Sequence, residues 1–435
     1  MKLFGYQQEI VDKAYEPSKA LFMDMGTGKT YVSMSMFQKS ERKKLLVVCL
    51  ATKVTDWERD LEHELGRNVQ ALNKGTKKNK QIIKDGADTL VVSFESAWRA
   101  DKTLIEWVDN DVYIIIDESH KIKNPSSKVG KFARKLGERT NFKAILTGTP
   151  QSKGYIDYYN QLHFLGYLNM NQTRFKNRYV VTRLMSYGGP SFEEIVGYRN
   201  TDELDDIIEK HSVFYERKIE DSEVPDEIAI RIPNYPKYRK ITKNKVYEFS
   251  NGDVAIYDTL GSGMMLQRQL SAGYISKDGH VELLDKAKLD WVRDFLEGYD
   301  KRVVIFYNFN AELHELKKVL DKLDRPYSEY NGASKDLQSF KEASNGVVLA
   351  NYGSGSTGIN DFVIASTMIM FSLTTSYIDF QQAKKRIDRI GQTEKPLFYY
   401  LVREGTIEAN IYRNLQMGLD FDEQMFAKYE FKTEG

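Results

Sequence analysis

Short runs of consecutive apolar residues, repeated in two series, constrain the fold of this chain more than any other feature. The runs are continuous rather than alternating, which is typical of strands buried on both faces of a sheet. The first series lies at 45–50, 90–94, 112–116 and 144–146, and the second lies at 303–307, 346–350, 367–371 and 397–402. Helical patterns such as 289–296 and 313–323 separate the runs. The sequence therefore predicts two α/β lobes with parallel sheets.

The composition of the stretch between the two series sets the expected domain boundaries. The chain has 435 residues, enough for two to three domains at roughly 150 residues each. Residues 200–227 hold eleven acids and three bases, and residues 237–245 hold five bases and no acid. Three prolines lie in the same region, which favours an extended connection, although a solvated loop with a helical edge fits the composition equally well. We predict a first lobe over 1–222, a linker over 223–240 and a second lobe over 241–435.

Charge, cysteine content and hydropathy exclude several classes of protein. The 63 basic residues nearly cancel the 62 acidic ones, so the chain is not a globally basic nucleic-acid coat protein. A single cysteine, Cys49, cannot form an internal disulfide and fits an intracellular setting as a buried structural thiol. No stretch is long and apolar enough to predict a secretory signal or a membrane span. We therefore expect a soluble intracellular protein with no membrane partner.

The first candidate site is the segment MDMGTGKT at 23–30. A glycine-rich turn at the start of a helix surrounds phosphates with backbone N–H groups. Lys29 is placed to reach the β and γ phosphates of a nucleotide, and the hydroxyl of Thr30 is placed to bind Mg²⁺. The full pattern has Gly where Met23 stands, so this match is incomplete on its own.

The second candidate is IIIDESH at 114–120, at the end of an apolar run. Asp117 can hold Mg²⁺ through water opposite a phosphate loop, and Glu118 can polarise an attacking water as a general base. A plain acidic turn after a strand is the alternative. The upstream phosphate loop makes that alternative much weaker.

The third candidate is the pair Arg386 and Arg389 in QAKKRIDRIGQ at 382–392. Their i, i+3 spacing would place both guanidinium groups on one face of a helix, where they could meet the γ phosphate from the second lobe. A basic surface helix is the alternative.

Two further stretches, 146–150 (LTGTP) and 351–360 (NYGSGSTGIN), have glycines and hydroxyls suited to phosphate oxygens.

Basic stretches suggest a nucleic-acid interface on one side of the molecule. Eight bases and one acid lie in 121–143, four lysines lie in 73–80, and four bases interleaved with aromatic residues lie in 174–183. On a nearly neutral chain, such patches fit a local footprint for phosphates. Each stretch taken alone also fits an ordinary solvated surface.

Taken in order, these motifs resemble the Swi/Snf-type ATPases of helicase superfamily two. LFGYQ at 3–7 resembles the Q-motif, 45–61 resembles motif Ia and 91–96 the DNA-facing strand end after it. DESH is similar to motif II and LTGTP to motif III, while 303–320, 351–360 and 382–392 resemble motifs IV, V and VI. The ending RIGQ favours the translocase branch over strand-separating enzymes. Three departures are Thr27 for Leu, Ser119 for Ala or Gly, and LTTSY at 373–377 where Trp is common.

The resemblance implies two RecA-like lobes with ATP and Mg²⁺ in the cleft between them and double-stranded DNA crossing both. It makes Glu118, Asp117 and Lys29 catalytic, together with Arg386 and Arg389, and it assigns the metal to Thr30 and Asp117. The implied nucleotide contacts are Gln7, Met25, Gly26, Thr27, Gly28, Lys29, Thr30, Gly358, Arg386 and Arg389. The implied coupling residues are His120, Thr147, Thr149 and Gln382.

The function implied is an ATP-dependent translocase on double-stranded DNA. A strand-separating DNA or RNA helicase is the alternative within enzymes, and an ATP-binding switch without turnover is the alternative outside them. The chain is expected to be the motor alone, cytoplasmic if the source is bacterial or viral. A monomer is compatible with the sequence, which leaves protein partners and the biological pathway open.

Overall fold

The computed structural model describes residues 2–185, 191–216, 224–355, 361–389 and 391–434. The chain divides into two compact units, the first built from Met1–Met185 and Phe192–Lys218 and the second from Ile219–Gly435. Each is an α/β unit around one parallel sheet, which confirms the predicted fold class. Within the described ranges, no helix combines the length and the apolar character needed to cross a membrane.

The sheet of the first unit has seven strands in the order β3-β4-β2-β5-β6-β1-β9, all parallel. The strands of this sheet are β1 (Ser18–Met23), β2 (Lys44–Cys49), β3 (Gln70–Leu72), β4 (Thr89–Ser93), β5 (Val112–Asp117), β6 (Lys143–Thr147) and β9 (Ser212–Tyr215). A separate antiparallel pair is formed by β7 (Val180–Met185) and β8 (Phe192–Tyr198). The helices are α1 (Gly5–Lys13), α2 (Lys29–Lys39), α3 (Val54–Leu65), α4 (Thr76–Lys84), α5 (Phe94–Arg99), α6 (Asp101–Trp107), α7 (Lys128–Gly137), α8 (Tyr158–Leu165), α9 (Gln172–Tyr179) and α10 (Thr201–His211).

The second unit has a parallel sheet of six strands in the order β10-β19-β18-β15-β17-β16. They are β10 (Asp226–Ile232), β15 (Val303–Tyr307), β16 (Tyr327–Tyr330), β17 (Val347–Asn351), β18 (Thr367–Met370) and β19 (Leu397–Arg403). Two antiparallel pairs accompany it, β11 (Val246–Glu248) with β12 (Val254–Ile256) and β13 (Tyr274–Lys277) with β14 (His280–Leu283). The helices are α11 (Pro236–Asn244), α12 (Leu260–Ala272), α13 (Ala287–Glu297), α14 (Asn310–Lys322), α15 (Gln338–Glu342), α16 (Tyr352–Gly355), α17 (Tyr377–Lys384), α18 (Ile407–Gln416) and α19 (Glu423–Glu434).

The apolar runs are continuous because helices cover both faces of each sheet. In β2, Leu46 and Val48 enter one core, whereas Leu45, Val47 and Cys49 enter the core on the opposite face. Strand β15 divides in the same way. Alternate side chains point to opposite faces of a sheet, so only a strand covered on both sides needs every residue to be apolar.

The range expected to be a linker contains regular structure. Asp226–Ile232 forms β10, which pairs with β19 along its whole length, and α11 begins at Pro236. These residues therefore belong to the sheet and the helical layer of the second unit. The acid-rich residues that precede β10 in the sequence include those of α10 in the first unit.

Candidate functional site

The glycine-rich turn lies at the carboxyl end of β1 and leads directly into α2. Gly26 and Gly28 have φ angles of +80° and +78°, in the left-handed region that glycine adopts without steric cost. The hydroxyl of Thr27 closes the turn by donating to the carbonyl of Asp24 at 2.6 Å. The first N–H groups of α2, from Lys29 and Thr30 onward, thus stand at the end of a buried parallel strand. This is the arrangement that binds phosphate in α/β proteins.

Lys29 lies across the inside of this turn. Its ammonium group donates to the carbonyl of Met23 at 2.8 Å and to the carbonyl of Asp24 at 3.0 Å. The side chain is partly exposed, so the same ammonium is available to an incoming phosphate. A phosphate oxygen would replace neutral carbonyl acceptors with a charged one, which makes a stronger hydrogen bond.

Gln7, the predicted adenine contact, lies against the turn and is 3% exposed. Its side-chain amide donates to the carbonyl of Thr27 at 3.0 Å, and its side-chain oxygen accepts from the N–H of Phe4 at 2.9 Å. A β-carbon added at Gly28 would lie 2.1 Å from the amide nitrogen of Gln7. Gln7 therefore packs on the phosphate loop itself, and a side chain at Gly28 would have to displace the amide of Gln7.

An acidic pair ends β5. Strand β6 lies between β5 and β1, so the acidic pair and the phosphate loop both lie at the carboxyl edge of the sheet. Asp117 accepts hydrogen bonds from the indole N–H of Trp57 at 2.9 Å and from the N–H of Glu118 at 3.0 Å. Burial and the Glu118 carboxylate raise the pKa of Asp117, and the Trp57 donor and the ammonium groups of Lys29 and Lys53 oppose that rise. A half-buried carboxylate next to this loop, with a hydroxyl at Thr30, offers the oxygen ligands that Mg²⁺ prefers.

The predicted coupling residues of the first unit form a chain of contacts from Glu118 to the end of β6. Nδ1 of His120 lies 3.2 Å from the Glu118 carboxylate and 3.3 Å from the hydroxyl of Thr147. That hydroxyl accepts the N–H of Thr149 at 3.1 Å. His120 is only 4% exposed. Side chains at the ends of two neighbouring strands are thus joined through one imidazole ring.

In the second unit, the structure places Arg386 and Arg389 differently from the sequence prediction. Helix α17 ends at Lys384, so both arginines lie in the turns that follow and not on a helix face. The helical prediction for 382–392 is wrong beyond this point. Arg386 is 4% exposed and Arg389 is half-buried, and burial lowers the pKa of Arg389. Gln382 is buried on α17, and Gly358 lies outside the described residues.

Two residues that the sequence analysis left without a role hold these sites in place. Trp57 is a buried indole on α3 that donates to Asp117. Gln392 donates from its side-chain amide to the carbonyls of Val363, Ala365 and Ile387 at 3.2, 2.9 and 3.0 Å. Its side-chain oxygen accepts the N–H groups of the next two residues at 3.0 and 3.1 Å. Gln392 is the last letter of the RIGQ ending, which was the available signal for it.

Parallel sheets in both units, with a phosphate loop beside an acidic pair in the first, define the class of the protein as a P-loop ATPase with RecA-like lobes. Residues 6–208 match the family model described as the SNF2-related domain. The chain is therefore similar to ATP-hydrolysing proteins of the Snf2 type in helicase superfamily two, and the resemblance found in the motifs is confirmed.

Curated relatives extend the similarity over both units. The "Chromatin structure-remodeling complex subunit snf21" of Schizosaccharomyces pombe is 23% identical over 94% of this chain and 37% of its own length. The "SWI/SNF-related matrix-associated actin-dependent regulator of chromatin subfamily A-like protein 1" of Drosophila melanogaster is 23% identical over 95% of this chain and 55% of its own. The "DNA repair and recombination protein RDH54" of Saccharomyces cerevisiae is 22% identical over 94% and 50%. The chain thus spans about a third to a half of these relatives.

A solved structure is also similar. It is the "Sulfolobus solfataricus SWI2/SNF2 ATPase core in complex with dsDNA", with 20% sequence identity and a TM-score of 0.44. The match covers 99% of this chain and 93% of that one.

Proposed function

We propose that this protein is a DNA-stimulated ATPase that translocates along double-stranded DNA without separating its strands. The observation that carries the proposal is the chain of contacts that links Glu118 through His120 to Thr147. It joins the group expected to activate water to the carboxyl end of the neighbouring strand, within a unit that already has a phosphate loop. Relatives whose names mention chromatin remodelling and DNA repair, and a similar ATPase core solved with double-stranded DNA, are consistent with this function.

The residues of the first unit account for nucleotide binding and for the attack of water. Lys29 exchanges the carbonyls of Met23 and Asp24 for β and γ phosphate oxygens. Thr30 and Asp117 supply oxygen ligands for Mg²⁺, which when bound offsets the negative charge of the phosphates. Glu118 orients the attacking water and accepts its proton. The hydrogen bond from Trp57 favours the ionised form of the Asp117 carboxylate and fixes its orientation.

Arg386 and Arg389 complete the proposal from the second unit. In phosphoryl transfer, charge spreads over the equatorial oxygens of the transferred group, and a guanidinium group that reaches them accelerates the reaction by about 10³–10⁵-fold. We infer that the two arginines reach ATP when DNA favours closure of the two lobes, so that turnover depends on DNA. The partial burial of Arg389 fits this role, because a guanidinium group that has already lost part of its hydration costs less to bring into a dry site.

Steady-state ATP hydrolysis tests the proposal. Rates are compared without nucleic acid and with duplex DNA, single-stranded DNA or RNA, and Glu118→Gln serves as the inactive control. Strong stimulation by duplex DNA supports the proposal. A preference for single strands or RNA would replace it with a strand-separating helicase, and turnover no higher than that of the control would point to a nucleotide switch.

Movement along DNA needs a second assay. A translocase displaces the third strand of a triplex without opening the duplex, whereas a helicase opens a forked substrate. We expect triplex displacement that depends on ATP and no unwinding of the fork. Unwinding of the fork at a comparable rate would contradict the proposal.

A further inference from the structure

Helix α11, in the charge-reversed region of the sequence, is fixed to the second unit by one apolar side. Tyr238 and Ile241 are 3% and 5% exposed and belong to a small core that also contains Leu266 and Leu270 of α12. The hydroxyl of Tyr238 donates to the side-chain oxygen of Gln267 at 3.3 Å. Pro236 begins the helix, where its fixed φ suits the first turn and its missing N–H costs nothing. The helix is therefore a rigid platform rather than a hinge.

The opposite side of α11 is exposed and basic. Lys237, Arg239, Lys240 and Lys243 are all exposed. In the part of the chain that the structure describes, no carboxylate lies within salt-bridge distance of these four cations. Some exposed cations on other helices of the unit do have such partners, for example Lys318 with Glu315 at 2.7 Å. Within the described ranges, no salt bridge therefore pairs the positive charges of this side of α11, although the pKa of Glu282, which hydrogen bonds from Ser250 lower, is lowered further by the charge of Lys237.

The spacing of these cations suits a row of phosphates. Arg239 and Lys243 are separated by one turn of helix, and Lys240 lies three residues before Lys243. Side chains at these separations lie about 5–6 Å apart at their β-carbons. Lysine and arginine side chains are long enough to reach successive phosphates from such a row.

We propose that the exposed side of α11, formed by Lys237, Arg239, Lys240 and Lys243, binds the phosphate backbone of duplex DNA. The inference rests on the proposed function and adds a contact surface to it. Stable membrane anchoring and the buried centre of a protein interface usually use apolar residues as well, and those of α11 are already buried against α12. A side with only cations, Asn and Thr matches a ligand that is uniformly anionic, so binding there is independent of DNA sequence.

Two double variants, each of which removes two positive charges, test this surface and provide a matched control. The test variant is Arg239→Gln with Lys243→Gln, and the control is Lys318→Gln with Lys322→Gln on α14. Both remove two exposed cations one helical turn apart from the same unit. Binding of a fluorescent 30-base-pair duplex is measured by anisotropy over a range of salt concentrations, together with the ATPase rate at saturating DNA.

The test variant is expected to bind the duplex more weakly at low salt and to lose about 1.8 from the slope of log affinity against log salt, at about 0.9 for each phosphate contact. The control is expected to keep the parental slope, and both variants are expected to keep the parental rate at saturating DNA. Equal slopes in the test and control variants would overturn the inference and leave the proposed function intact. A parental protein that neither binds nor responds to duplex DNA would overturn both.

Discussion

Replacing Trp57 with Phe tests whether the hydrogen bond to Asp117 is required for the metal site. Phe keeps an aromatic ring in the buried position and removes the indole N–H that lies 2.9 Å from the carboxylate. A hydrogen bond to a charged group contributes about 1.5–3 kcal/mol, which corresponds to about a 10- to 150-fold change in an equilibrium constant. Loss of a residue that supports a metal ligand usually costs about 10–100-fold in metal affinity or activity. We expect Trp57→Phe to raise the Mg²⁺ concentration needed for half-maximal activity by about 10–100-fold.

The assay is DNA-stimulated ATP hydrolysis at fixed ATP while Mg²⁺ is varied. Excess Mg²⁺ should restore most of the rate, because the ligands themselves are unchanged. The same variant should lose activity at a higher pH than the parent as the solution is acidified. The reason is that the Trp57 donor lowers the pKa of Asp117, so its removal raises that pKa and protonates the ligand earlier.

Trp291→Phe is the matched control. Trp291 lies on α13 of the second unit and packs against Phe295, so its replacement removes an indole without touching the acidic pair. The control should keep the parental Mg²⁺ requirement and pH profile. If Trp57→Phe also kept both, the hydrogen bond would not tune Asp117 and the reasoning would be refuted.

Three further changes have expected outcomes. Gly28→Ala should raise the KM for ATP more than Gly26→Ala does. Both positions have positive φ, which costs about 1–2 kcal/mol for alanine, but only a side chain at Gly28 would also displace the amide of Gln7. Equal increases in KM in ATP titrations would contradict this prediction. Arg389→Ala should retain nucleotide binding and lose about 10³–10⁵-fold in turnover, and parental turnover at saturating DNA would remove it from the mechanism. Gln392→Glu should lower kcat at neutral pH, where a carboxylate faces three carbonyls, and recover relative to the parent as protonation restores a donor; a pH-independent loss would argue against this.

The strands that could be predicted from the sequence are those buried on both faces. The run at 303–307 coincides with β15, and the runs at 45–50 and 112–116 lie within one residue of β2 and β5. Strands that lie at sheet edges or are shorter were missed, and so was the interior strand β1 (Ser18–Met23), which is fully buried but begins with Ser and Lys. β10 (Asp226–Ile232) is an edge strand that is mostly exposed, and β16 (Tyr327–Tyr330) includes Ser and Glu. Periodicity reports burial, so a strand that is not buried on both sides carries little of this signal.

The candidate site could be predicted from the sequence where one short segment contains all the functional side chains of a motif. The phosphate loop and the DESH motif are of this kind. Trp57 and Gln392 were not predictable, because their partners lie 60 residues away or are backbone carbonyls that any sequence provides. The helix over 382–392 was overextended, because an i, i+3 spacing of basic residues fits a turn as well as a helix.

The single cysteine has a practical consequence for site-specific fluorescent labelling of this protein. Cys49 is fully buried in β2, and burial raises the pKa of its thiol well above the ordinary value, so little reactive thiolate forms. Cysteines introduced at exposed positions, one in each unit, should therefore react with maleimide dyes while the native thiol remains unlabelled. The native sequence can thus serve as the background for fluorescence measurements of distance between the two units during each ATP cycle, without first removing a core side chain.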